Sequence, residues 1–279
     1  MRNNVTVIIR HTNERTLGAC LNLLSSQVSS NNIQIISETP FSSAVKKTFE
    51  IGIDYNKDWT LAIDADIFVT NDCIYTLVSV AENLEDYFFE IQGRILDKFY
   101  GVPRGGGPHL YRTKYLKEAI KFIPKEGTSL RPESDTYDKM AEIGYHYYFG
   151  KEVYGLHDYE QFYKDIYRKG FLHAKKHWRY LTHFEKFWFD NKETDFDFSV
   201  ALLGFEQAQK FNGIVYVDRN FFPMELTDFL EKNGHYEKSN LSKVDNLFVA
   251  TELNKFFQKT ELKEFEKQYF NYVKRSDAK

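Results

Sequence analysis

Residues 59–66 read Trp59-Thr60-Leu61-Ala62-Ile63-Asp64-Ala65-Asp66, an apolar run that stops on two carboxylates. Trp59 to Ile63 has the length and near-continuous apolarity of a strand buried on both faces. On its N-terminal side, Val5 to Ile9 is another β-branched run. A polar loop at His11, Thr12 and Asn13 follows, and Leu17, Cys20, Leu21 and Leu24 then recur at helical spacing. Ile33 to Ile36 predicts a further strand, Pro40 breaks it, and Ala44, Val45, Phe49 and Ile53 mark one side of a helix. Strands alternating with helices predict a parallel sheet covered on both faces, whose ligands gather at the carboxyl ends of the strands. The loops at 10–14, 38–40 and 64–66 should then share one rim.

Toward the C-terminus, a helix is expected near Cys73–Leu84 and a strand around Phe88–Tyr100. Gly101-Val102-Pro103-Arg104-Gly105-Gly106-Gly107-Pro108 follows, and its three consecutive glycines argue against a strand interior. A short helix is expected over Tyr115–Phe122 and another over Tyr137–Ile143, before Tyr145–Leu156 leads to His157-Asp158. From Tyr159 to Trp188 the composition changes: ten of thirty residues are aromatic, and seven Lys/Arg face three Asp/Glu. A boundary near 158 is therefore expected, with a first domain at 1–158 and a mainly helical extension at 159–279. The extension should hold one strand at Ile214–Val217. Its last amphipathic helix should run through Leu253, Phe256, Phe257, Leu262, Phe265, Tyr269, Tyr272 and Val273.

The chain has 279 residues, 37 basic and 40 acidic, for a formal charge of −3, which excludes a disordered chain and a general nucleic-acid binder. Cys20 lies on an apolar helical stripe and reads as a reduced core thiol, one of only two cysteines. Val5 to Ile9 is too short for a signal-peptide core and no 18 apolar residues run together, so a cytoplasmic, non-spanning protein is expected. Aromatic residues at 17% suggest stacking surfaces or a face for a membrane interface.

Alternation places Asp64 and Asp66 on one side of the chain at the sheet's rim. Two such carboxylates suit an oxygen-loving cation such as Mn²⁺ or Mg²⁺ that neutralises a diphosphate; the plain alternative is a solvated strand end. Val5 to Arg10, then Asn13 to Leu17 and Gln27, then Trp59 to Asp66, resemble the nucleotide-sugar half of GT-A glycosyltransferases, especially the family-2-like inverting enzymes of bacteria. The resemblance covers residues 4–160. It implies an α/β, GT-A (Rossmann-like) nucleotide-sugar-binding domain and maps a metal-chelating Asp-x-Asp onto Asp64 and Asp66. Glu133-Ser134-Asp135 is similar to the motif that carries the general base, and Gly155-Leu156-His157-Asp158 to the element with a metal-binding histidine. Ser134 departs from the family, which has an acid there, so the base is Asp135 or Glu133. Arg10-His11-Thr12 departs from its Pro-x-Tyr or Pro-x-Phe, which leaves the base-stacking contact unassigned.

The expected roles are catalytic for Asp135 and Glu133, metal-binding for Asp64, Asp66 and His157, and donor-binding for Arg10, Thr12, Glu38, Lys47, Asp64 and Arg104. Each has a simpler alternative: a first-turn acid or cap for Glu133 and Asp135, a structural histidine for His157, and a solvated surface for Glu38 and Lys47. The function expected is metal-dependent, inverting transfer of a sugar from a nucleotide-diphosphate sugar to a hydroxyl of a saccharide or lipid-linked saccharide in surface polysaccharide or glycolipid synthesis. The basic, aromatic extension would face an anionic acceptor or the inner face of the membrane. A sugar nucleotidyltransferase would use a similar sheet, but it needs a glycine-rich loop after the first strand that Thr12–Gly18 does not provide. A non-catalytic carbohydrate-binding module would have no need of intact Asp64, Asp66, Asp135 and His157.

Overall fold

The structure, a computed structural model, describes residues 2–129, 131–177, 180–213, 215 and 225–259. Its strands are β1 (Val5–Arg10), β2 (Ile33–Ile36), β3 (Trp59–Asp64), β4 (Ile67–Val69), β5 (Phe88–Asp97), β6 (Val102–Arg112) and β7 (His146–His157). They form one sheet in the order β2-β1-β3-β6-β5-β7-β4. Its helices are α1 (Leu17–Ser25), α2 (Phe41–Tyr55), α3 (Cys73–Glu82), α4 (Leu116–Ala119), α5 (Pro132–Glu142), α6 (Tyr163–Lys176), α7 (Leu181–Asn191), α8 (Phe196–Lys210), α9 (Leu226–Lys232) and α10 (Asn246–Lys259). The α/β class and the helical C-terminal part are those expected.

The sheet is mixed rather than purely parallel. β2, β1 and β3 are parallel, β6 runs antiparallel to both of its neighbours, and β5 and β7 are parallel to each other. The turn between β5 and β6 is only a few residues long, and so short a connection joins antiparallel strands alone. β1, β3, β5 and β7 therefore all run one way. Arg10 lies beside Asp64 and Asp97 beside His157 in register, so the four strands end on one rim.

The glycine run corrects the expectation of a loop, because β6 passes straight through it. Gln92 of β5 faces His109, yet Arg94 faces Gly105, so the ladder is interrupted at Gly106, Gly107 and Pro108. Gly106 and Gly107 have φ of 147° and 109°, a backbone that L side chains rarely adopt. Glycines inside a strand mark such a bulge.

Alternation sends Leu61 and Ile63 to a core under α1, α3 and α10, and Ala62 to a second core under α2, α4 and α5. Both cysteines are buried and unpaired. A third core answers the aromatic excess: Tyr163, Tyr167, Phe184, Trp188 and Phe205 pack around Phe99, and Phe171 is equally buried beside them. These rings were expected to offer a stacking or membrane face; burial makes them the interior of the helical part instead. Trp188 Nε1 donates to the Phe99 carbonyl at 2.7 Å, so the turn after β5 is anchored in that interior, and packing crosses the boundary expected near 158. Of the strand expected at Ile214–Val217 only Val215 is described; the rest of it, Trp178 and Arg179, and the helix positions beyond Lys259 lie outside the described residues.

Helices α6 and α8 meet through two glycines. A Cβ on Gly170 would lie 2.1 Å from the Ala201 carbonyl oxygen, and one on Gly204 would lie 2.1 Å from that of Tyr167. Backbone cannot yield as a flexible side chain does, so Gly204→Ala is expected to destabilise the protein by about 1–3 kcal/mol, the usual cost of overpacking. Thermal unfolding checks this; an unchanged Tm would show that the two helices are not locked by these glycines.

Candidate active site at the carboxyl rim

Two clusters of buried charge stand at the rim. The first is built on Arg10, the last residue of β1 and 4% exposed. Its Nε donates to Asp64 Oδ1 at 2.7 Å and its Nη1 to Glu133 Oε1 at 2.6 Å, while its guanidinium lies 4.9 Å from the Phe41 ring centroid. Tyr111 also donates to Glu133 (3.0 Å), and Tyr111 and Tyr137 share a hydrogen bond of 2.7 Å. Tyr137 in turn lies 3.1 Å from His109 Nδ1, and that same nitrogen lies 2.8 Å from Glu90. Burial opposes the charge on Glu133, but Arg10 and His109 outweigh it and hold its pKa at about 2. Glu133 is thus a committed anion tying β1 and β6 to α5.

Asp135 sits one turn into the same helix and is exposed. Its backbone N–H bonds to the Arg131 carbonyl at 3.1 Å, and its carboxylate faces solvent.

The second cluster gathers Asp66, His157 and Asp158, with a ligand atom from each within 4.8 Å of the other two. Lys169, from α6, donates to Asp66 Oδ2 at 2.7 Å and to Asp158 Oδ1. Asp158 adopts φ of 65° and its N–H reaches the Asp66 carbonyl (3.2 Å), which turns its carboxylate back toward the rim. His157 Nε2 lies 3.5 Å from Asp66 Oδ1, and its Nδ1 lies 2.8 Å from Asp97 Oδ2. Asp97, fully buried, also accepts from the N–H groups of Phe99 and Tyr100 and from Arg104 Nε at 2.6 Å. Burial works against the imidazolium, but Asp158 and Asp66 prevail and raise the His157 pKa to about 9. Burial likewise opposes the charge of Asp66, yet Lys169 and His157 keep it well below the ordinary carboxylate range.

The resemblance implies a divalent cation, and these residues fit one. Among the described residues Asp66 Oδ1 and Asp158 Oδ2 are buried oxygens without a hydrogen bond, and both face His157, at 3.5 Å from its Nε2 and 3.1 Å from its Nδ1. Two carboxylates with an imidazole make a mixed oxygen–nitrogen set suited to Mn²⁺. The Asp97–His157 pair repeats the carboxylate–histidine support usual behind a metal ligand.

Of the residues expected from the sequence, the structure brings Asp66, His157 and Arg104 into this cluster, and Arg10, Asp64 and Glu133 into the other. Asp64 is paired with Arg10 and stands outside the three-residue group. Thr12 donates from its N–H and hydroxyl to Glu14, while Glu38 and Lys47 are exposed, with no contact to either cluster among the described residues. Sequence reasoning missed Asp97, Asp158 and Lys169. Asp97 ends a strand as Asp64 does, and Asp158 adjoins His157, so both carried a positional signal; Lys169 carried none.

No family model and no curated protein matches this chain. Solved structures do match in part. The bifunctional IspDF of Campylobacter jejuni is 15% identical over 53% of this chain, with a TM-score of 0.36, and the chain spans about half of it, 49%. A glycosyltransferase involved in glycosylation of the major capsid of PBCV-1 is 14% identical over 53% of this chain and 81% of its own, with a TM-score of 0.37. Glucosyl-3-phosphoglycerate synthase of Mycobacterium tuberculosis, solved with Mn²⁺ and UDP-glucose, is 11% identical over 54% of this chain and 70% of its own, with a TM-score of 0.36. The matches include glycosyltransferases of the GT-A type, the fold class the sequence resembles, and cytidylyltransferases. With TM-scores below 0.5 they are partial likenesses of fold and carry no weight for activity.

Because the Glu133 pKa lies at about 2, below its ordinary 4.5, its ion pair stabilises the fold above pH 4.5 and that contribution fades as pH falls toward 2. Glu133→Gln is therefore expected to cost about 3 kcal/mol at neutral pH, with the gap to wild type closing on acidification. Denaturant unfolding across pH 7 to 3 checks this; a constant gap would deny the electrostatic role.

Proposed function

We propose that the chain is a glycosyltransferase that moves a sugar from a nucleotide-diphosphate sugar to a hydroxyl acceptor with inversion. The observation that carries the reading is the buried Asp66–His157–Asp158 group at the carboxyl ends of parallel strands, where α/β sheets bind nucleotides. Asp66, His157 and Asp158 would hold a divalent cation there, which would supply Lewis-acid neutralisation of the leaving diphosphate. Asp97 and Arg104 hold the His157 ring in place for this, and Lys169 brings a further positive charge to the same spot.

Asp135 is the base in this reading. A carboxylate open to solvent at a helix start is free to take the acceptor proton, whereas Glu133 is spent on Arg10 and holds a proton only under strongly acidic conditions. In this reading Arg10, Thr12, Glu38, Lys47 and Asp64 are the donor-side candidates, of which Arg10 and Asp64 are joined at the ends of β1 and β3, and residues 159–279 are the candidate acceptor side. Among the described residues no helix is long and apolar enough to cross a membrane. Peripheral membrane contact loses the buried rings that suggested it and rests on the basic residues of α6 alone.

The test is turnover of a panel of nucleotide-diphosphate sugars with Mn²⁺. Release of nucleoside diphosphate with an inverted product is expected; release of pyrophosphate would move the chain to the nucleotidyltransferases. Asp135→Asn should lower kcat by roughly 10²- to 10⁴-fold with donor affinity little changed. Near-normal kcat in that variant would remove Asp135 as the base.

A further inference from the structure

Beside the candidate metal cluster lies a group of cations that the reaction above does not use. Arg168, Lys169 and Lys176 lie on α6, with His173 and His177 a turn or less away. Arg131, which precedes α5, comes in from the other side, its Nη2 3.3 Å from His177 Nδ1. Lys169 is neutralised by Asp66 and Asp158, and Arg104 by Asp97. Arg131, Arg168 and Lys176 have no carboxylate partner among the described residues, although Arg168 and Lys176 are half-buried and Arg168 Nε is a buried donor without an acceptor.

The crowding of positive charge acts on Lys176 and His177. Burial, then Arg168, Arg131 and Lys169, press the Lys176 pKa down to about 8. Burial, then Arg131 and Arg104, press His177 to about 3. The C-terminal dipole of α6 accounts for a cation at Lys176. It accounts neither for Arg168 two turns earlier nor for Arg131 on a different element. Like charges gathered in a partly desolvated place are costly unless an anion completes them, and guanidinium groups with an ammonium match a phosphate in charge and donor number.

We propose that Arg131, Arg168, Lys176 and His177 form a phosphate-binding pocket next to the Asp66–His157–Asp158 cluster. Two sources fit this chemistry: a phosphate ester on the acceptor, or the diphosphate of the donor. The pocket goes beyond the glycosyl-transfer reading; only the assignment of its phosphate to an acceptor rests on that reading.

Isothermal titration of the full chain tests it, with inorganic phosphate, glycerol 3-phosphate and glycerol as probes and UDP with Mn²⁺ as the competitor. Both phosphates are expected to bind and glycerol not to. The Arg168→Gln/Lys176→Gln double variant should weaken phosphate binding at least tenfold, and Arg131→Gln, an exposed change that leaves the helices intact, at least threefold. Undiminished glycerol 3-phosphate binding in the presence of saturating UDP supports the acceptor as the source. Competition, with UDP itself tenfold weaker in the double variant, supports the donor diphosphate. No phosphate binding by the wild type, or equal binding by wild type and Arg131→Gln, overturns the pocket. Since no turnover is measured, a failed transferase assay leaves this result standing, and a failed titration leaves the transferase reading standing.

Discussion

The ammonium of Lys169, held between Asp66 and Asp158, is the contact on which the rim depends. Two carboxylates in so small a buried space repel or lose charge unless positive groups balance them, because desolvation penalises every unpaired ion, and Lys169 joins His157 in doing so. Lys169 meets one oxygen of each carboxylate, and His157 faces the other two, Asp66 Oδ1 at 3.5 Å and Asp158 Oδ2 at 3.1 Å. The same residue lies on α6, so the helical part and the sheet are joined at the site itself as well as through Phe99 and Trp188.

Charge on the rim is divided rather than pooled. Arg10 satisfies Asp64 and Glu133 at one end, Lys169 satisfies Asp66 and Asp158 at the other, and Arg104 neutralises Asp97 behind His157. The division gives the acids different work. Glu133, driven to a low pKa, is a structural anion; Asp66 and Asp158 lie within 4.8 Å of each other and of His157; Asp135 stays in water. Beyond Lys169 the balance tips, and Arg131, Arg168 and Lys176 have no carboxylate partner among the described residues.

The first three strands were legible because each is a short apolar run closed by polar residues, and the rim followed from their common direction. Asp66 and His157 were legible as a pair through the resemblance, which maps a metal-chelating Asp-x-Asp and a later histidine onto them; Asp66 lies in the turn after β3 and His157 ends β7. The mixed order of the sheet was not, since nothing in Phe88–Tyr100 tells a hairpin from a crossover until the turn is seen to be short. The glycines of β6 misled for a related reason: local conformational freedom reads as a loop, while pairing with β5 on both sides of the run holds them in a bulged strand. The rings of 159–188 were counted correctly but placed outside, because composition cannot tell a surface of stacked rings from a core of them. Lys169 stayed hidden because its partners lie 11 and 103 residues away.

The account stands or falls on whether Asp66, His157 and Asp158 hold a divalent cation together. Titration of Mn²⁺ into the protein in the presence of UDP, followed by electron paramagnetic resonance, measures this directly for the wild type and for Asp158→Asn. One bound Mn²⁺ per chain is predicted for the wild type, with affinity at least tenfold weaker in the variant while the fold is retained. Equal affinity in the two proteins, or no binding by the wild type, would contradict it.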